Sequence, residues 1–463
     1  MKCFLIVVLI LIVIMLAFFI LRILPLLTAK PAIKVDYIAE YNKITRPVNY
    51  TPNENAAPYY QKAFEALMEI PQAIKENSKT WPGDMNDSQF NTMKSWLASN
   101  SRAFDYLKQA VQRPFCWVER HGTDNAIFNI ELPEVSKVRT AAWGLSLQAK
   151  LNALQGQDRL AFTQIIELHQ MGLHYSGPVT LVEQLVGTTT KSIALNTAFS
   201  ILDKIKVDPG VITNFQTRLE QEIQKSKPLN FSIGERIYGL DITQQMFTDD
   251  GKGNGRLIPA KLFKYKKDSP IAPSISYVRS ILICLNHPGR QETLRLQKKL
   301  YEELDKIIYK TPWQLRKDGT SYQDYVQKLT KGNYFLNDDA SSFGRVCEMY
   351  QRQKISGEAL VTTLALLRYK ADKGQLPENL PQLVDSGYIK ELPMDPYSGK
   401  PLVYKRIDDN FTLYSFGADF DDDGGTPGEW GEGPQGGDRV FWPVQKMNQE
   451  ETKKGSGAKA IEN

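Results

Sequence analysis

The sequence predicts a mainly α protein: an N-terminal transmembrane helix, an α-helical array and a small α+β unit near the other end. Three observations carry this. Cys3 to Leu21 is an unbroken apolar run, residues from about 60 to 350 show helical periodicity with few alternating stretches, and at Ile355 the pattern becomes one helix, then turns, then two short strands. The 463 residues leave room for about three domains. The expected divisions are a membrane anchor (1–29), a connector (30–59), an α-helical domain (60–345), the α+β unit (346–445) and a polar disordered tail (446–463).

The anchor comes first. Nineteen apolar residues follow Lys2 and precede Arg22, and Ile23 to Leu27 extend the run if Arg22 reaches back to the interface. A cleavable secretory signal is the rival reading, but it needs a small-x-small site, and Leu27-Thr28-Ala29 is a poor one. Positive charge is split between Lys2 on one side and Arg22, Lys30 and Lys34 on the other. The short amino-terminal tail then favours an orientation with the body outside the cytoplasm: a single-pass inner-membrane protein held through residues 3–27.

Beyond a Pro- and Asn-bearing connector, Val138, Ala141, Ala142, Leu145 and Ala149 mark one helix, which breaks at Gly156. Asp158 is placed to cap the next, which carries Leu160, Ala161, Ile165, Leu168 and Met171. Thr180 is expected to cap a third helix, and Asp208-Pro209-Gly210 to open a fourth, Val211 to Lys225. Short turns make such helices antiparallel neighbours, as in arrays of paired hairpins, without a strict 34-residue consensus.

Composition excludes several classes. With 42% hydrophobic and 24% charged residues the chain is ordinary globular protein, and a net charge of +5 over this length gives no reason to expect nucleic-acid binding. Cys3, Cys116, Cys284 and Cys347 lack zinc-site spacing and imply no disulfide framework. His169 and His174 are five apart, about 140° around a helix, which is poor ligand geometry. His121 and His287 are isolated and no GxSxG motif accompanies them. Lys252, Arg256, Lys261, Lys264, Lys266 and Lys267 form an acid-free basic segment, read as a loop able to meet anionic head groups or an acidic polymer.

The C-terminal hundred residues are the most informative. A stripe of Ile355, Ala359, Thr362, Thr363, Leu366 and Tyr369 ends at Gly374; strands are expected at Leu402–Arg406 and Phe411–Ser415, joined by Asp408-Asp409-Asn410. The ordered set ALLRYKADKGQLP (Ala365–Pro377), LPMDPYSGKPL (Leu392–Leu402), FTLYSFGAD (Phe411–Asp419), Gly424-Gly425 and Asp438 resembles the globular part of the major pseudopilin of type II secretion, the G-type subunit, over roughly residues 355–442.

Between Asp419 and Asp438 lie seven carboxylates (Asp419, Asp421, Asp422, Asp423, Glu429, Glu432 and Asp438), seven glycines and no Lys or Arg. Asp419 to Gly424 fits the D-x-D-x-D-G opening of a calcium loop, but the twelfth position is Trp430, so a full EF-hand is not expected. The resemblance implies a calcium site closed differently, with Asp419 and Asp438 as ligands; local spacing adds Asp421 and Asp423. An unliganded acidic loop is the alternative. Calcium suits these hard oxygen donors better than zinc.

The departures are equally clear: a pseudopilin's apolar segment directly precedes this helix, behind a short leader, whereas here it lies roughly 330 residues away and carries no acid. Prepilin processing and incorporation into a pseudopilus are therefore not expected. The functional expectation is a membrane-anchored extracytoplasmic binding or scaffold protein with a calcium-stabilised pseudopilin-like unit, touching secretion or envelope proteins. The alternative is an envelope hydrolase acting in the helical domain.

Overall fold

The computed structural model describes residues 2–444 except 79, 123–125, 128, 129, 131, 133, 178, 266–272, 429 and 431–435. The expected disordered tail lies outside the described residues. The chain is mainly helical, with one N-terminal apolar helix and a small three-stranded sheet near the C-terminal end.

The apolar run is helical throughout: Lys2–Phe18, a π turn at Phe19–Ile23, then Leu24–Leu27. The π turn precedes Pro25, which has no amide to donate, so the ladder re-registers before it. Ile6–Leu27 is long and apolar enough to cross a membrane, 22 residues spanning about 33 Å. Its residues are exposed as far as Arg22; Ile23 is half-buried, and Leu26 is buried in one cluster with Ile242, Met246, Phe247, Leu262 and Phe335.

The connector is more ordered than its composition suggested. Asp36 caps a helix, Tyr37–Thr45, by accepting from the amide of Ala39. Before it, Gln244 Oε1 accepts from the amides of Lys34 and Val35, and Gln244 Nε2 donates to the Val35 carbonyl. Lys34 and Arg290 both reach the buried carboxylate of Asp249. The stretch after the apolar helix is thus fastened to the body.

The central helices are Glu134–Leu154, Asp158–His174, Leu181–Lys204 and Pro209–Lys225. Thr180 forms a reciprocal capping box with Glu183, and Asp208 accepts from the amides of Gly210 and Val211. Asp158 is the first helical residue, and neither it nor Gln157 supplies the side-chain cap expected there. Short links fold each helix back on its neighbour, and the core gathers Leu145, Ile165, Leu195 and Leu219.

A 40-residue helix, Tyr334–Lys373, about 60 Å long, connects this body to the C-terminal unit. Asn333 caps its start and Gly374, at φ +75°, ends it in the left-handed conformation that glycine adopts without strain. The helix runs through the 345/346 division expected from the sequence. One core accordingly continues from the central helices into Ile355, Leu364, Leu383, Leu413 and Trp442.

The sheet order is β1-β2-β3, with β1 Val403–Ile407, β2 Asn410–Ser415 and β3 Arg439–Trp442, all antiparallel. β1 and β2 lie within a residue of expectation; β3 was not anticipated. The basic segment is not simply a loop either: Pro259–Tyr265 is helical, because Leu262 and Pro259 have a buried surface to pack on. Lys266 and Lys267 lie outside the described residues. Cys116, Cys284 and Cys347 carry free thiols, the last two buried.

Candidate metal centre and buried polar sites

The acidic loop begins where β2 ends. Phe420, at φ +68°, turns the chain sharply, and its ring lies against Tyr397 and beneath the guanidinium of Arg316, which also donates to the Asp419 carbonyl. The two carboxylates at the ends of the loop are held from opposite sides. Asp419 accepts from the amides of Asp421 and Gly437, and Asp438 accepts from the amide of Gly425 at 2.6 Å. These bonds, with the pairing of Pro427 and Asp438, close the loop on itself.

The closure leaves an electrostatic imbalance. Asp438 is fully buried, and its Oδ1 has no hydrogen-bond partner. Burial, reinforced by the charges of Asp422 and Asp423 and opposed by the amides of Gly425 and Asp423, pushes its carboxyl up to about 6. Asp423 is raised too, by desolvation and by repulsion from Asp419, Asp421 and Asp422. Asp422 is engaged by Tyr414 and the Gly424 amide, and Asp421 by the Asp422 amide. Asp421 and Asp423 are exposed, and among the described residues no three His, Cys, Asp or Glu side chains converge as they stand on one point that could hold a metal. Glu429 and Glu432 lie outside the described residues.

The pH dependence has a definite sign. Folded Asp438 keeps a proton that the unfolded chain releases near pH 4, so unfolding releases protons between about pH 4 and 6, and stability falls as pH rises through that window. Thermal unfolding in EGTA from pH 4.5 to 7.5 should show Asp438→Asn gaining on the wild type, by roughly 1–2 kcal/mol after allowing for solvent screening. A constant difference across that range would refute the assignment.

The histidines do not form a site. His169 is fully buried with neither ring nitrogen partnered, and burial holds it down to about 3; His174 bonds Tyr60 and the Arg113 carbonyl. His121 is exposed. His287 accepts from the Phe335 amide and lines a shallow hollow with Arg279, Asn286 and Tyr334, without an acid.

Two other polar centres were not among the site residues expected from the sequence. Arg120, buried, bonds Glu134 and Glu183 at 2.5 Å each, while Glu183 also accepts from Tyr41 and from Thr180. This network forms one wall of a cavity of about 450 Å3 whose other side is apolar, including Leu300, Phe335 and Phe343. One guanidinium thus holds two carboxylates, and a third, Glu235, lines the same cavity while accepting from the Leu181 amide. The second is Asp395, 2% exposed, which accepts from the amides of Tyr397, Ser398 and Phe416 and the hydroxyl of Ser415. It stiffens the Leu392–Leu402 segment against the helical body, where the Pro396 carbonyl accepts from the Trp313 amide. Gly399, at φ +67°, leaves no room for a Cβ, which would lie 2.7 Å from the Trp313 ring.

No family model, curated protein or solved structure matches this chain.

Proposed function

We propose that this chain is a membrane-anchored extracytoplasmic scaffold or binding protein, an array of helical hairpins bearing a pseudopilin-like unit that calcium stabilises, accessory to secretion or envelope assembly. The observation that supports it best is the unpartnered, buried Oδ1 of Asp438 beside a crowd of like charges. A divalent ion would neutralise that crowd, held by Asp438 and Asp419 from the closed ends of the loop and by Asp421 and Asp423 once their exposed carboxylates turn inward. Helices packed through a shared core favour binding over catalysis. Of the motif residues, the LPMDPYSG turn docks the unit on the helical body and Gly374, which opens GQLP, ends its helix.

Thermal unfolding of the full chain in detergent should rise by several degrees between EGTA and millimolar calcium, since a ligand at 100 times its Kd adds about 2.7 kcal/mol. The double variant Asp419→Asn, Asp438→Asn should abolish the difference. Capture from membranes with and without chelator then tests the role: companions from the envelope should be retained with calcium and lost with EGTA. A calcium-independent unfolding curve removes the metal, and calcium-independent companions remove its part in assembly.

A further inference from the structure

The helix Pro273–Asn286 packs against the π turn Phe19–Ile23, and the helix Pro259–Tyr265 packs against Leu24–Leu27. Both therefore touch residues that belong to the stretch able to cross a membrane. At 1.5 Å per residue the π turn lies about 6–12 Å inside the body-side end of that stretch. Its depth cannot be adjusted by a loose tether, because Leu26 is buried in the body and Lys34 and Val35 are bonded to Gln244.

The face that Pro273–Asn286 turns outward is apolar. Val278 and Leu282, one turn apart, are 56% and 58% exposed, whereas Ser280 and Cys284 on the opposite side are buried, Cys284 in the same cluster as Leu26. Exposed Lys264 and Arg279, with half-buried Lys261, flank this edge. An apolar edge beside cations, held at the depth where a membrane passes from acyl chain to head group, is the pattern of an interfacial helix, whose apolar face sinks ~5–10 Å.

We propose that Pro273–Asn286 lies in the interfacial layer of the bilayer crossed by the anchor, with Val278 and Leu282 among the acyl chains and Lys261, Lys264 and Arg279 at the level of anionic phosphates. The body is then held to the membrane at two points and keeps one orientation over it. The proposal rests on the anchor reading of residues 3–27.

The test uses the full chain, one copy per nanodisc, with phosphatidylglycerol and phosphatidylcholine lipids carrying a nitroxide near the head-group end of the acyl chain. A fluorescent label is placed in turn at Val278→Cys, Leu282→Cys, Ile12→Cys in the anchor, and exposed Asn214→Cys. Labels at 278 and 282 should be quenched several-fold more than the label at 214. Replacing Lys261 and Lys264 with Gln should reduce that quenching. Quenching at 12 with none at 278 or 282 overturns this inference and leaves the anchor standing; no quenching at 12 overturns the anchor itself. A label at 282 that is shielded only when copies associate in detergent shows a second copy of the chain there instead, and also overturns the proposal.

Discussion

Arg120→Ala will destabilise the protein by about 3–5 kcal/mol, because it leaves two carboxylates facing each other without the cation that holds them. Glu183 is the more damaged partner. Its side chain is 8% exposed, and apart from Arg120 it is held by neutral groups, Tyr41 and Thr180. The loss spreads through the backbone as well, since the Arg120 amide and carbonyl both bond the Asn42 side chain and so tie the connector helix to this segment. Adding Glu183→Gln to Arg120→Ala should recover part of the stability, because the uncompensated charge is gone. Thermal and urea unfolding of the four proteins in one detergent give the coupling directly. A single-variant loss below 1 kcal/mol, or additive effects in the double variant, would show that the pair is not coupled in this way.

How much of this was legible beforehand depends on whether the determining interaction is local. The cap at Thr180 and the stop at Gly374 lie within a few residues of the amides and carbonyls they serve, and each is found where the sequence placed it; Asp208, read only as part of a turn, is the cap of a helix that starts two residues earlier than expected. β1 and β2 were legible for the same reason: two short β-prone runs flank a tight turn. β3 is only four residues long and follows a glycine-rich loop, so its identity comes from pairing with Leu413–Ser415, more than twenty residues away. The Arg120 network joins positions up to 142 residues apart, and neither periodicity nor a motif announces it. The long helix was half visible: its Ile355–Tyr369 stripe reads clearly because it faces one core, whereas the earlier turns face another built from Phe231, Leu304 and Val326, so the stripe changes side. In the acidic loop the sequence showed the crowding of charge, but not that Asp438, alone among the described carboxylates of the loop, is buried, since closure depends on the amides of Gly425 and Gly437.

Asp395→Ala should be comparably severe, about 3–5 kcal/mol, and should separate the C-terminal unit from the helical body. Four donors converge on this carboxylate, three of them amides from two chain segments twenty residues apart. A buried donor left unpaired costs ~1–3 kcal/mol, and bonds to a charged acceptor are the stronger ones. Water cannot reach all four at once, because Tyr397, Ser398 and Ser415 are themselves buried. Asp395→Asn preserves volume but exchanges one accepting oxygen for an NH2 group facing two donors, so it should recover little. The consequence travels further than the turn. The same segment presents Pro396 to the Trp313 amide and Gly399 to the Trp313 ring, and Tyr397 to Phe420 and Trp430 beside the acidic loop. When Asp395 no longer organises those amides, both contacts loosen together. Limited proteolysis should therefore cut the variant between Pro393 and Lys405 under conditions that leave the wild type whole. Wild-type resistance in Asp395→Ala, with unfolding within 1 kcal/mol of the parent, would show that the surrounding packing holds this turn without the carboxylate.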